Sequence, residues 1–376
     1  MLRLGPLVLL LISAFNSAQA DFRAEQQAVT HTAIRSQGQV GFCWAYTLAG
    51  LMEGEAKKDK INVLLSPEYL GFYHMYFQLQ KHLSWFGVVV RHLDQNNQSA
   101  FESVTQDAYE RIYVRDRFYK PGEGNDEALA LNELEISGAV PQEVFNFKLG
   151  TQIKDQDFEL KIKNFIKAKM LVAKNLDSFK TTDGNGMNET LFEALAKSLD
   201  LTPPKPSDSF TFQGKSFTPK TFVTDYLKFD PGAFVQIAVT PAKQQRALNL
   251  IRDTLKANDA VPIGFEVFMD PNPSGDNALK QAGKTGDFSN RFCPGGQCKQ
   301  IDGGHEVLGV NWTEDSKGNV TSIIIKNSWG HQGGRNDRGQ ETREDSESGF
   351  FILESDYLAD SSTWFFIVPK AHATGF

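Results

Sequence analysis

The sequence predicts an α+β protein of two lobes, a helical first part and a strand-rich second part. Before about residue 230 several segments carry apolar residues at helical spacing, with 83–117 a mixed stretch that reads as neither helix nor strand. From Phe234 onward, short β-branched and aromatic runs bounded by turn residues take over. The 376 residues suffice for two or three lobes with cores of their own, and no internal repeat divides them.

The first twenty residues read as an export signal. Arg3 supplies the positive start, Leu7 to Phe15 the apolar run, and Ala18-Gln19-Ala20 the small-residue cleavage site. The expected mature start is Asp21, in an exported, periplasmic or secreted protein of bacterial type. That apolar run is too short to span a bilayer, so no stable membrane insertion is expected.

Cys43 opens the next element. Trp44, Leu48, Leu51 and Met52 fall on one helical face, and Lys57, Lys58 and Lys60 cluster where positive charge suits a helix C-terminus. Ser66-Pro67-Glu68 reads as a second helix start, with Ser66 as N-cap and the aromatic run Tyr69 to Leu79 behind it. Glu127 to Ile136 is a third helix, stopped at Gly138. Asp155 to Asn175 is strongly amphipathic, and Thr218-Pro219 starts another helix. Strands are expected at 235–239, 261–268, 307–312, 322–325, 350–353 and 364–368, with a helix at 244–257. These readings divide the chain into a signal segment (1–20), a helical lobe (21–149), a helical insertion (150–232) and a β-rich lobe (233–376).

A net charge of −7 offers no basic patch, so no nucleic-acid partner is expected. Three cysteines in an exported chain leave one thiol over. Cys293 and Cys298 flank Pro294-Gly295-Gly296-Gln297, a turn that could close a small disulfide loop. Zinc on these two and His305 is the poorer alternative, because no fourth ligand stands nearby. Asp183-Gly184-Asn185-Gly186 has incomplete calcium-ligand spacing and reads as a solvated turn. No metal or organic cofactor is called for.

Cys43 carries the chemistry. It follows the glycine-rich loop Ser36 to Phe42 at the positive end of a helix, where unpaired N–H groups favour a thiolate. His305, in Asp302-Gly303-Gly304-His305-Glu306, is expected at the rim of a sheet after a glycine turn. Asn327, at the end of the next strand, would lie beside it and fix the ring tautomer, with Trp329 covering the bond. Gln37 would donate to a developing oxyanion together with the Cys43 N–H. Singly, each has a plain reading: a buried thiol, a strand-edge histidine, a turn asparagine, a loop glutamine. Their joint order is what the plain readings leave unexplained.

These residues resemble the papain-like cysteine peptidases, on Gln37, Gly41-Phe42-Cys43-Trp44-Ala45-Tyr46, Gly304-His305 and Asn327-Ser328-Trp329-Gly330. The resemblance implies a papain-like two-lobed fold with Cys43 as nucleophile, His305 as base and acid, Asn327 as orienter and Gln37 as oxyanion donor. It further implies that Gly41, Phe42, Trp44, Gly304, Glu306 and Trp329 border the substrate. Three departures stand out. Val40 occupies the position of the family's first cysteine. Phe42 replaces a small residue and is expected to narrow the cleft. Glu306 replaces a small apolar residue beside a side-chain pocket. His305 follows Cys43 by 262 residues, against about 130–150 in the family. That enlargement resembles the bleomycin hydrolase branch, as do Gly138-Ala139-Val140-Pro141-Gln142-Glu143-Val144-Phe145 and Thr218-Pro219-Lys220-Thr221-Phe222.

The expected function is peptide-bond hydrolysis through an acyl-enzyme, with a peptide or protein substrate as partner; no oligomeric state follows from the sequence. The alternatives are another acyl chemistry on the same residues, such as amide transfer or cell-wall peptide hydrolysis, and a non-catalytic module of the same fold.

Overall fold

Helix α1 (Cys43–Lys58) is the axis of the fold, and its glycines explain why. Glycine inside a helix costs about 1 kcal/mol relative to alanine. Here a Cβ on Gly50 would stand 3.2 Å from Leu308 Cδ2, and one on Gly54 would stand 2.9 Å from the Thr30 carbonyl oxygen. The bare backbone lets a strand of one lobe and the N-terminal segment approach the helix closely. Trp44, Leu48, Leu51 and Met52 are buried, as their spacing predicted.

The computed structural model describes residues 28–38, 41–91, 127–146, 187–268, 286–289, 301–332, 334–342, 348–361 and 364–376, with isolated positions between 160 and 168. The export signal, Cys293, Cys298 and most of Asp155–Asn175 lie outside the described residues.

Around α1 the helical lobe is built from aromatic rings. In α2 (Pro67–Arg91), Ser66 Oγ accepts the Tyr69 N–H at 3.0 Å, the N-cap read from the sequence. Tyr69, Phe72, Tyr73 and Tyr76 are buried. Phe192 of α4 (Glu189–Ser198) meets Phe72, Tyr73 and Tyr76 at 5.3, 5.4 and 5.6 Å between ring centres. Helix α3 (Glu127–Ser137) ends at Gly138, whose φ of 69° needs glycine, and a Cβ there would lie 2.2 Å from the Pro219 carbonyl carbon.

The span expected to be a helical insertion also holds a hairpin, β1 (Phe210–Phe212) and β2 (Lys215–Phe217). Its turn places Gln213 (φ 49°) and Gly214 (φ 75°) in the left-handed region, the signature of a tight two-residue loop. Glutamine is an uncommon first residue there, so the turn gave little local signal.

The second lobe is a seven-stranded sheet in the order β3-β9-β4-β6-β7-β8-β5. Its strands are β3 (Phe234–Val239), β4 (Val261–Phe268), β5 (Asp287–Phe288), β6 (Ile301–Glu314), β7 (Val320–Lys326), β8 (Phe350–Glu354) and β9 (Trp364–Pro369). All pairings are antiparallel except β5 with β8. Helix α5 (Gln244–Lys256) covers β4, β6 and β7 with Ala247, Leu248, Ile251 and Leu255 buried, and α6 (Ser355–Asp360) lies on β7 and β8. The fold is α+β in two lobes. Buried apolar side chains of both lobes join in one core.

The lobes are also joined by buried charge. Glu53 of α1 is 1% exposed and accepts from Arg35 Nη2 at 2.7 Å, Thr32 Oγ1 at 2.5 Å and the Leu65 N–H at 2.8 Å. Lys326, the last residue of β7, donates to Thr32 Oγ1 at 2.9 Å. Burial pulls its pKa down to about 8, against the opposing pull of Glu53.

Candidate active site

The site grows from a short antiparallel seam between the lobes. Residues 35–37 run antiparallel to 328–330: Ser36 bridges Trp329, the Gln37 N–H donates to the Ser328 carbonyl at 2.8 Å, and the Gly330 N–H donates to the Arg35 carbonyl at 3.1 Å. Gly38, with φ 66°, then turns the chain toward α1. The seam therefore brings the segment leading to Cys43 against the segment following β7.

Gln37 and Trp329 lie on that seam, and Asn327 and His305 stand beside it. His305 Nε2 and Asn327 Oδ1 are 3.0 Å apart. Because an amide oxygen only accepts, the ring proton sits on Nε2, and Nδ1 is left as the basic nitrogen. The Ser328 N–H donates to the same Asn327 oxygen at 2.8 Å, which holds the amide in this orientation. Trp329 stacks on the imidazole, ring centres 4.9 Å apart and planes 24° from parallel. Phe265 meets the ring edge-on at 5.9 Å. The Gln37 side-chain oxygen accepts from the Ser328 hydroxyl.

Burial sets the electrostatics. His305 is 4% exposed, and desolvation lowers its pKa to about 4, opposed by the Asn327 hydrogen bond. Alone, the imidazole is neutral at pH 7; a neighbouring negative charge is what would make it accept a proton. Cys43 is buried at the first position of α1, and α1 lies across β6, the strand that carries His305. On the helical-lobe side of Gln37 a groove of about 330 Å³ is lined by Gly38, Phe42, Tyr46, Glu68, Gln142 and Asn146.

Three sequence expectations need correction. His305 does not follow a glycine turn; Asp302, Gly303 and Gly304 are already strand, and His305 pairs with Phe265 of β4. Among the described residues a Cβ at Gly303 would meet nothing within 4 Å, and one at Gly304 only the Phe265 carbonyl oxygen at 3.9 Å. Phe42 lines the groove beside Gln37, but its ring does not stand across it. Its side chain is 1% exposed, turned into the helical lobe against Gly71 of α2, where a Cβ would come within 2.6 Å of the ring. The Trp44 ring likewise does not border a substrate: it is buried against His74, ring centres 5.0 Å apart. Both rings point inward because the first turn of α1 is covered by α2.

The remaining expected substrate contacts fall as follows. Gly41 precedes α1 on the loop; Gly304 is exposed opposite Glu266. Glu306 is buried opposite Gly264, over which the Phe365 ring lies. Ser328 was quoted in the sequence only as part of a motif; its hydroxyl is the contact that sequence reasoning missed. Serine after asparagine carries no signal of its partner, which lies far away in the chain.

No protein-family model matches the chain, and no curated protein matches it. Solved structures do. PepW from Lactobacillus rhamnosis aligns with a TM-score of 0.57 at 15% identity, over 92% of this chain and 81% of that one. The fold is papain-like. Xylellain, a cysteine protease from Xylella fastidiosa, aligns at 12% identity over 90% and 82% of the two chains, with a TM-score of 0.35. The bromelain protease from Ananas comosus aligns at 12% identity over 90% and 94%, with a TM-score of 0.36. These last two scores are too low to carry an argument. At such identities likeness speaks of fold alone, and it singles out no branch of papain-like proteins.

Proposed function

We propose that the protein is an exported cysteine peptidase that hydrolyses peptide bonds through Cys43, His305, Asn327 and Gln37. The observation that carries the reading is the 3.0 Å contact of His305 Nε2 with Asn327, which leaves Nδ1 as the base. In support stand the seam from Gln37 through Ser328 to Asn327, and a buried cysteine at the start of a helix that lies on the histidine's strand.

In this reading His305 Nδ1 takes the thiol proton, and the resulting thiolate offsets the cost of a buried imidazolium. The sulfur adds to the substrate carbonyl carbon, and the carbonyl oxygen becomes an oxyanion held by the Gln37 amide and the Cys43 N–H. The imidazolium gives its proton to the leaving amine, the C–N bond breaks, and a thioester remains on Cys43. His305 then takes a proton from water, whose oxygen attacks the thioester, and the acid leaves as the thiol is restored. Asn327 keeps the ring in the required tautomer throughout, and the Trp329 face excludes water from the Asn327–His305 bond.

Export to a periplasmic or extracellular compartment, a mature start at Asp21 and a Cys293–Cys298 bridge belong to the same proposal, as does placement near the bleomycin hydrolase branch. The test is hydrolysis of a peptide library by purified mature protein, with cleaved bonds read by mass spectrometry. Cleavage that vanishes in Cys43→Ala supports the reading. Wild-type protein that cuts no peptide contradicts it.

A further inference from the structure

Glu68 stands in the first turn of α2, where the helix dipole favours a negative charge. That placement explains why a carboxylate is tolerated there, but not what the charge faces. The Glu68 side chain is 7% exposed and lines the groove of about 330 Å³ beside Gln37. Among the described residues its oxygens accept from hydroxyls alone: Tyr46 at 3.0 Å from Oε1 and Ser66 at 3.3 Å from Oε2. The single Tyr46 proton is shared with the Ser36 carbonyl, at 3.1 Å. A carboxylate offers about four acceptor positions, so capacity remains. No lysine, arginine or histidine nitrogen of the described residues lies within 4 Å of either oxygen. A carboxylate this buried is costly without a cation beside it. Arg35, the basic residue among those lining the groove, is already engaged. Its Nη1 donates to the Leu65 carbonyl at 2.7 Å and its Nη2 to Glu53 at 2.7 Å. With the Arg35 charge offset by Glu53, Glu68 sets the sign of the groove.

We propose that Glu68 is a specificity-determining residue that receives the positively charged side chain of an arginine or lysine in the peptide substrate. The inference rests on the peptidase reading above and deepens it by naming the substrate class. The groove borders Gln37, the expected oxyanion donor, and Phe42, the residue directly before Cys43. A peptide whose carbonyl is held between those two positions passes the groove with a residue close to the bond that is cut. Arginine and lysine carry a charged head on a flexible apolar stem. The stem has Pro67 and the Tyr46 ring to lie against, and the head has Glu68. The side-chain carbonyls of Gln142 and Asn146, on the same groove, offer acceptors for further N–H groups. An aspartate or glutamate at that position would meet a like charge and be rejected.

The charge can be tested apart from shape. Peptides acetylated at one end and amidated at the other carry no charge except that of the side chain under test. Pairs identical but for arginine against citrulline, its neutral isostere, are scanned through the positions flanking the cut bond. In wild type, arginine should be favoured at one position by about tenfold or more in kcat/KM, the size of a hydrogen bond to a charged group. In Glu68→Gln, which keeps the shape and one acceptor oxygen, that ratio should fall to within about twofold of one. The ratio is internal to each variant. General loosening of the fold, or loss of the Tyr46 and Ser66 contacts, slows both peptides of a pair and leaves their ratio standing. Asn146→Asp adds a second carboxylate to the groove while Glu68 stays in place, and should raise the ratio at the same position.

Equal rates for arginine and citrulline at every position in wild type would overturn the inference while leaving the peptidase reading in place. An arginine preference that survives Glu68→Gln would overturn it as well. Should that variant not fold, a preference that Asn146→Asp fails to raise does the same. A wild-type protein that turns over no peptide fails the peptidase reading itself, and the inference falls with it.

Discussion

The phenyl ring of Phe42 rests on the backbone of Gly71, so closely that a Cβ at 71 would lie 2.6 to 2.8 Å from three ring atoms. The residue before the expected nucleophile is thus an anchor of the helical lobe. It seats the start of α1 on α2, where neither a local disulfide nor a polar cap does so: Val40 stands in the cysteine position, and Phe42 makes no side-chain cap to the helix.

Gly71→Ala should therefore destabilise the fold by about 1–3 kcal/mol through overpacking. Phe42→Leu in the same chain should recover part of the loss. Urea unfolding of the single and double variants measures this; additive effects would mean that the two residues do not share the space.

A second prediction concerns the imidazole. In Cys43→Ala no thiolate can form, and His305 should titrate near 4, well below its ordinary 6.5, because burial disfavours its charged form. The folded pKa lies below the unfolded one, so the folded state binds fewer protons between those values. The resulting stability is present above about 6.5 and is lost as pH falls from there to about 4, by about 3 kcal/mol. Nitrogen NMR of the ring in Cys43→Ala, with urea unfolding at pH 7 and 4.5, tests this. In wild type, ring titration at a higher pH than in the alanine variant would report the thiolate's charge. A midpoint near 6.5 in Cys43→Ala would show that the ring is not desolvated.

Glu53→Ala should cost about 3–5 kcal/mol, because buried Lys326 and partly buried Arg35 would be left without their carboxylate. Lys326→Met alone should be milder, since Glu53 keeps Arg35 and the Leu65 N–H. Thermal unfolding of the two variants at pH 7 gives the order. A Glu53→Ala protein as stable as wild type would remove this cluster from the account of how the lobes are joined.

Much of the architecture was legible in the chain because its signals are local. Ser66, Gly138 and the β-rich runs at 235–239 and 261–268 mark their elements without outside help. The His305–Asn327 approach was legible as well, since neighbouring antiparallel strands bring their ends together. What escaped depends on partners remote in sequence. The inward turn of Phe42 requires the gap at Gly71, and the bond of the Ser328 hydroxyl requires Gln37 on the other lobe. The β1–β2 turn escaped because Gln213 is an unusual residue to hold a φ of 49°.

The site residues should grade in severity. His305→Ala should remove nearly as much activity as loss of the thiol, because base and nucleophile act as a unit. Gln37→Ala should raise the barrier by about 3 kcal/mol, read in kcat. Asn327→Ala should be milder, since Trp329 and Phe265 still confine the ring on its face and edge. Steady-state kinetics on one peptide substrate orders them; an unchanged kcat in Gln37→Ala would remove its oxyanion role.

The most direct test of the central claim is the mass of the protein quenched in acid during turnover of an activated peptide ester. The account predicts a species heavier by the acyl group, mapped by digestion to the peptide carrying Cys43 and absent from Cys43→Ala. An acyl group on any other residue, or turnover with no adduct in wild type and full activity in the alanine variant, would contradict it.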